Sequence, residues 1–217
     1  MSELTPIQRH LAELLFSLPE ADGYALAGGA ALILCRVVER STQDLDAFIG
    51  ARPGPDPGTV DRLADAFSAS AERKGWTTKV ARRHPTFCRF LLGRDGETVE
   101  LDLAVDSPSL EPLQFVDGIP VLGALDLAAR KVLAIVDRLE ARDYTDLQAL
   151  ALLVGRRACV DAALSMDAGL RTSHVAGAFE RISRLADERY PAATADPAST
   201  RSYFLSWASE VSRPRSA

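Results

Sequence analysis

The sequence predicts an α+β fold in which a mixed β-sheet with flanking helices is followed by a C-terminal helical bundle. Residues Asp44–Phe48 and Val99–Ala104 alternate polar and apolar side chains, which is the period of a half-buried strand. From Ala124 onward, apolar residues recur instead at helical spacing. The 217 residues suit one elaborated domain or two small ones.

The composition is that of a globular protein, with 47% hydrophobic and 25% charged residues. The net charge of −5 means that any nucleic-acid contact requires a local basic patch. Three scattered cysteines in no metal-binding spacing indicate a reduced, intracellular protein. Since no apolar run approaches the ~18 residues of a membrane span and the first residues carry no signal-peptide pattern, we expect a cytoplasmic protein without a membrane partner.

The first elements are a helix, a short strand and a glycine turn. Thr5-Pro6 provides an N-cap followed by proline at the first helical position. The apolar run Tyr24–Ala27 precedes Gly28-Gly29 and a helix predicted over Ala30–Val38. Glycines at such a turn let the backbone approach a ligand, and the following helix offers free N–H groups to phosphate.

Asp44 and Asp46 form the first candidate site. On a strand, residues two apart point to the same face, so both carboxylates project together. Adjacent carboxylates repel unless a cation lies between them, and a hard divalent ion such as Mg²⁺ suits oxygen ligands. The alternative is an exposed strand end with both acids in water.

A third carboxylate is expected from a neighbouring strand. The remaining predicted elements of the first half are a loop at Arg52–Gly58, a helix at Val60–Lys74, strands at Trp76–Val80, Thr86–Leu92 and Val99–Ala104, and a hairpin turn at Asp95-Gly96. In the last strand, Glu100 and Asp102 share the polar face. Asp102 is the predicted third metal ligand and Glu100 the reserve, with a solvated strand face as the alternative.

Basic residues cluster around the predicted hairpin. They are Arg82, Arg83, His84, Arg89 and Arg94. The arginines either meet a nucleic-acid backbone or form a solvated face, and the sequence favours neither. His84 has no metal-binding partner at useful spacing and is interpreted as a structural or surface residue.

Residues 107–123 are punctuated by proline and glycine and are interpreted as a linker between a half at 1–106 and a helical half at 124–217. A helix is predicted over Ala124–Arg142. On it Lys131, Arg138 and Arg142 recur at intervals of seven and four, so they share one face. This row is either a solvated stripe or a partner for Asp143 and Asp146, while Asp196-Pro197 begins a later helix.

Two motifs resemble those of AbiEii/MenT-type nucleotidyltransferase toxins, which belong to type IV toxin–antitoxin-like systems. The first motif of that family runs GG-x-A-L…R-x-T-x-D-L-D, and the second is a lysine-bearing helix ending in a pattern like K…R…R-D-x-x-D-L. The matching residues are Gly28, Gly29, Ala31, Leu32, Arg40, Thr42, Asp44, Leu45 and Asp46, then Lys131, Arg138, Arg142, Asp143, Asp146 and Leu147.

The resemblance implies a nucleotidyltransferase fold and a set of site residues. Nucleotidyl transfer would use Mg²⁺ or Mn²⁺ and an NTP substrate. The implied roles are metal binding by Asp44, Asp46 and Asp102, nucleotide binding by Gly28, Gly29, Arg40, Thr42 and Lys131, and catalysis by Asp44, Asp46, Lys131 and Asp146. In this scheme Lys131 contacts the phosphates, and Asp146 positions the acceptor or assists its deprotonation.

The implied acceptor is the 3′ end of transfer RNA, so the protein would block translation and have a cognate antitoxin. RNA would be held by the hairpin arginines and by Arg138 or Arg142. The alternatives are a small-molecule (antibiotic-type) nucleotidyltransferase, a protein nucleotidyltransferase, and an inactive nucleotide- or partner-binding module.

Overall fold

The structure is a computed structural model that describes residues 3–50, 56, 58–191 and 196–213. Of the predicted loop at Arg52–Gly58, all but Asp56 and Gly58 lie outside these residues. The chain forms two compact units, Met1–Arg36 with Ser41–Gly123 and Val37–Arg40 with Ala124–Ala217.

The first unit is built on a seven-stranded mixed sheet with the order β3-β4-β5-β2-β1-β7-β6. The strands are β1 (Tyr24–Ala27), β2 (Asp44–Ile49), β3 (Thr77–His84), β4 (Phe87–Arg94), β5 (Glu97–Val105), β6 (Gln114–Val116) and β7 (Ile119–Val121). The β1–β7 and β2–β5 pairs are parallel, and the other neighbours are antiparallel. Its helices are α1 (Pro6–Phe16), α2 (Gly28–Leu34) and α3 (Thr59–Arg73).

The two faces of this sheet differ in polarity, as the strand alternation predicts. Leu45 pairs in register with Leu101, and both are buried on the face where Phe67 of α3 packs edge-on against Phe90. Asp44 and Asp46 alternate with these buried residues along β2 and are only partly buried. The central strand therefore carries its carboxylates on the face opposite that apolar core.

Two hairpin turns of the sheet contain Asp-Gly. Asp95 and Gly96 have φ of 53° and 82°, the left-handed values that such a hairpin turn requires, which confirms that prediction. Asp117 and Gly118 repeat the geometry with φ of 51° and 81°. They join β6 to β7, so the stretch 107–123 predicted as a linker contributes two strands to the sheet.

The second unit consists of α4 (Ala124–Asp137), α5 (Ala141–Val154), α6 (Arg156–Met166), α7 (Thr172–Glu180) and α8 (Pro197–Ser212). Asp196 caps α8 by accepting a hydrogen bond from the Ala198 amide, as predicted. Tyr144, Phe179, Phe204 and Trp207 form its fully buried aromatic core. Within the described residues, no helix is long and apolar enough to cross a membrane.

The prediction of a single helix over Ala124–Arg142 is wrong, because the helix is interrupted between Asp137 and Ala141. The last carbonyl groups of α4, those of Ile135 and Val136, accept hydrogen bonds of 2.6 and 2.7 Å from Arg181 Nη2. This distant side chain satisfies helix-end carbonyls that a continuing helix would otherwise use. As a result the predicted row of cations does not lie along one helix.

Candidate active site

Asp44 and Asp46 lie side by side on β2 with their carboxylates accessible to solvent. The Thr42 hydroxyl donates a short hydrogen bond to Asp44 Oδ1. The Thr42 carbonyl in turn accepts a 2.8 Å hydrogen bond from the buried Gln8 side chain of α1. The entry to β2 is therefore fixed by α1, and Thr42 orients a carboxylate.

Gly28 is required by the position of Asp46. β1 pairs with β2 so that Ala27 is opposite Asp46, and Gly28 follows with a φ of 58°. A Cβ at Gly28 would lie 1.9 Å from Asp46 Oδ2. Glycine thus lets the Asp46 carboxylate rest against the start of α2, while Gly29 beside it is buried.

Asp102 lies directly opposite Asp46 on the parallel strand β5, as a third carboxylate should. Its oxygens, however, both accept from Arg89 of β4, at 2.8 Å from Nε and 2.6 Å from Nη2. Glu100, which lies opposite Asp44, pairs with Arg89 Nη1 at 3.0 Å. One guanidinium thus engages both candidates for the third ligand.

The Asp44–Asp46 pair has the chemistry of a site for a hard divalent cation. It offers oxygen ligands on one face at a partly exposed position. Among the residues that the structure describes, no group of three or more His, Cys, Asp or Glu side chains is arranged to hold a metal ion. The oxygen ligands of Asp44 and Asp46 fit a hard divalent cation.

The helical unit contains a buried charge network centred on Lys131. The Lys131 ammonium lies 2.8 Å from Asp143 Oδ1 and 2.8 Å from Asp146 Oδ2. Both carboxylates are fully buried, and the lysine side chain is 10% exposed. The structure thus brings together three residues of the second motif, across the break between α4 and α5.

Two arginines complete this network. Arg40 binds Asp146 through Nε at 2.8 Å and Nη2 at 2.7 Å, and Arg138 binds Asp143 through Nε at 2.7 Å and Nη2 at 3.1 Å. Burial alone would raise the pKa of Asp143, but the hydrogen bonds from Arg138 and Lys131 outweigh it and hold the pKa below its usual value. Three cations therefore contact the two buried carboxylates.

Asp146 is held by charged partners on both of its oxygens. Both of its oxygens accept charge-assisted hydrogen bonds, and the side chain is fully buried. The arrangement suits a residue that orients Arg40 and Lys131.

The arginines of the β3–β4 hairpin mostly have partners within the protein. Arg83 lies 2.7 Å from Asp61 and 2.7 Å from Asp65, and its hydrogen bond lowers the pKa of Asp65. Arg94 packs over the Trp76 ring, Arg82 packs over the Phe87 ring, and His84 Nδ1 lies 3.2 Å from the Thr86 hydroxyl. This cluster is therefore built largely from ion pairs and ring contacts.

The family profile described as "Nucleotidyl transferase AbiEii toxin, Type IV TA system" matches residues 9–204 of the chain. No curated protein matches the chain by sequence. Among solved structures, the fold is similar to MenT4, a nucleotidyltransferase toxin from Mycobacterium tuberculosis H37Rv, with a TM-score of 0.66 and 16% identity over 94% of this chain and 82% of that one. It is also similar to JHP933 from Helicobacter pylori, with a TM-score of 0.61 and 16% identity over 96% and 93% of the two chains.

Proposed function

Because the chain belongs to the AbiEii family of nucleotidyl transferase toxins of type IV toxin–antitoxin systems, we propose that it transfers a nucleoside monophosphate from an NTP to an RNA acceptor. Family membership makes the chain a nucleotidyltransferase and implies an NTP substrate and a cognate antitoxin. The proposal adds the acceptor, the 3′ end of transfer RNA, and hence a block of translation. It also adds dependence on Mg²⁺ or Mn²⁺.

The observation that carries the proposal is the Asp44–Asp46 pair against Gly28. In the reaction, an acceptor hydroxyl loses its proton to water and its oxygen forms a bond to the α-phosphorus. The bond from that phosphorus to the oxygen that bridges it to the β-phosphorus breaks, and pyrophosphate leaves. A divalent ion held by Asp44 and Asp46 would supply charge stabilisation for the attacking and leaving oxygens. Thr42 supports this pair by donating to Asp44.

We assign the triphosphate contact to Lys131. Two of its three N–H groups point to Asp143 and Asp146 within the described residues, which leaves the third for a phosphate oxygen. An ammonium group that donates to a phosphate oxygen forms a charge-assisted hydrogen bond, which suits an anionic substrate. Arg40, Gly28, Gly29 and Thr42 remain proposed triphosphate contacts. Asp146 orients the two cations and remains the residue proposed to position the acceptor or assist its deprotonation.

The RNA acceptor is supported by the resemblance to AbiEii/MenT-type toxins and by the exposed positions of Arg82, Arg83 and Arg94. Arg83 and Arg89 are engaged by carboxylates, so phosphates would have to compete for them. The exposed Arg82 has a ring contact instead. On the helix side, Arg142 and Arg138 are the proposed contacts.

The test is transfer of radiolabel from each of the four α-³²P-labelled NTPs to total RNA, total protein or a set of aminoglycosides, with Mg²⁺ or Mn²⁺ present. We expect label in RNA of transfer-RNA size, at its 3′ end, with release of pyrophosphate. Asp46→Asn should abolish transfer and keep the fold, whereas Asp95→Asn in the exposed hairpin turn should leave transfer unchanged. Label only in protein or small molecules would support those rival acceptors, and absence of pyrophosphate release would indicate a binding module.

A further inference from the structure

Arg89 holds a position on the sheet that a metal-binding face would be expected to exclude. We infer that Arg89 is a positioning residue that keeps Asp102 and Glu100 from binding the divalent ion, so that Asp44 and Asp46 are its only carboxylate ligands. This inference rests on the metal site of the proposed function. It replaces the three predicted metal ligands with the Asp44–Asp46 pair, while the third carboxylate, Asp102, is held by Arg89.

The geometry is a single row across three strands. Arg89 of β4 is opposite Asp102 of β5, which is opposite Asp46 of β2. The planar guanidinium meets both Asp102 oxygens in the two-point geometry of a strong arginine–carboxylate pair, at 2.8 and 2.6 Å. To bind a metal, Asp102 would have to share these oxygens with Arg89 or turn away from it.

Glu100 is restrained by the same side chain. It occupies the next polar position on β5, opposite Asp44, and its Oε1 lies 3.0 Å from Arg89 Nη1. All three nitrogens of the guanidinium are thus directed at the two carboxylates of β5. These contacts direct each guanidinium nitrogen of Arg89 at the protein's own acids, so an RNA phosphate would have to compete with them.

Charge and burial favour this division of the four carboxylates. The Asp102 side chain is 11% exposed, whereas Asp44 and Asp46 are half-buried at the open part of the face. Arg89 donates to both Asp102 oxygens, and its guanidinium stays charged. A divalent ion bound beside Asp102 would be repelled by the positive charge of Arg89. An ion held by Asp44 and Asp46 would be separated from Arg89 by Asp102.

The experiment measures Mn²⁺ binding to the full chain without nucleotide, by electron paramagnetic resonance of free Mn²⁺. The variants are Asp46→Asn, Asp102→Asn, Arg89→Gln and the double variant Arg89→Gln/Asp102→Asn. The matched control is Arg82→Gln, which removes the same charge from the residue of β3 that lies opposite Arg89. Circular dichroism checks the fold of each variant.

We expect Asp102→Asn to leave the Kd for Mn²⁺ within about twofold of the native chain, because Asp102 is not a ligand. Arg89→Gln should tighten binding at least tenfold by releasing carboxylates to the ion, and the double variant should lose most of that gain. Arg82→Gln should change the Kd by less than about twofold, as a screened surface charge does.

A tenfold loss of Mn²⁺ affinity in Asp102→Asn would overturn the inference, and so would an unchanged Kd in a folded Arg89→Gln. If Arg89→Gln does not fold, the Asp102→Asn result decides alone. The proposed metal site fails separately if Asp46→Asn binds Mn²⁺ as the native chain does, whatever the other variants show.

Discussion

Lys131 Nζ and Arg40 Nη2 approach the same oxygen of Asp146, at 2.8 and 2.7 Å. Two cations at one carboxylate oxygen repel each other, and burial strengthens both the repulsion and their attraction to Asp146. Asp143 offsets part of the excess charge through its own contact with Lys131. The position of the Lys131 ammonium is therefore set by two carboxylates that water does not reach.

Lys131→Ala should impair both stability and nucleotide binding. Asp143 and Asp146 would lose a buried partner, although Arg138 and Arg40 still pair with them, so we expect a loss of about 3 kcal/mol in the free energy of unfolding, at the low end for a broken buried ion pair. Lys131→Arg should restore charge but only part of the affinity, since the guanidinium differs in shape. Urea unfolding and equilibrium binding of a non-hydrolysable NTP measure the two effects.

If the NTP affinity of Lys131→Ala equals that of the native chain, Lys131 contributes to stability alone. Arg157→Ala, on the exposed surface of α6, is the control for removal of a basic side chain and should alter neither quantity.

Asp143 predicts how stability depends on pH. Its pKa in the folded protein is below the value of about 3.9 expected in the unfolded chain. The ionised carboxylate therefore contributes stability above that pH, and the contribution is lost as the pH falls through the folded-state pKa. In urea unfolding between about pH 6 and pH 2.5, the stability difference between the native chain and Asp143→Asn should shrink on the acid side. A difference that is constant with pH would contradict the assignment.

Gly28 and Gly177 should respond in opposite ways to alanine. Alanine at position 28 would combine a φ of 58° with a Cβ 1.9 Å from Asp46 Oδ2, so the carboxylate would have to move. We expect a loss of about 1–3 kcal/mol in stability together with loss of transfer. In α7, nothing lies within 4 Å of a Cβ at Gly177, so Gly177→Ala should stabilise the protein by roughly 0.5–1 kcal/mol and leave transfer unchanged.

Thermal unfolding and the transfer assay together test this pair. If Gly28→Ala retained full transfer, the close approach of Gly28 to Asp46 would not matter for activity. That result would also weaken the role given to Asp46.

The carboxylate face shows what the sequence can and cannot reveal. Strand alternation alone places Asp44 and Asp46 on one face, and the structure agrees. The Asp95-Gly96 turn also fixes the register of β4 against β5. A two-residue turn that pairs Arg94 with Glu97 places Arg89 opposite Asp102. The Arg89 contact was therefore predictable in principle, but its hydrogen-bond geometry was not.

Strands β6 and β7 were hard to predict because they are short. Asp117-Gly118 has the same turn composition as Asp95-Gly96, but three-residue strands give too little alternation to stand out from a linker.

The helical unit was less predictable because its decisive contacts are distant in sequence. The break after Asp137 depends on Arg181, which the helical periodicity of α4 does not report. Arg40 likewise reaches Asp146 only through tertiary folding.

The hairpin arginines give the last prediction, which concerns the RNA acceptor. Binding through phosphates weakens with salt in proportion to the number of contacts. Arg82 contacts a ring and is exposed, whereas Arg83 is held by Asp61 and Asp65. Arg82→Gln should therefore reduce the slope of log K against log salt by about one, and Arg83→Gln should change it less.

The measurement is fluorescence anisotropy of labelled transfer RNA across a salt series, with NTP binding followed in parallel. Neutralising Arg82 together with Arg94 should flatten the slope further and lower transfer to RNA, while NTP affinity stays unchanged because Lys131 and the Asp44–Asp46 pair are intact. RNA association without salt dependence would count against a phosphate-binding surface. Equal effects of Arg82→Gln and Arg83→Gln would show that the carboxylates around Arg83 do not compete with RNA.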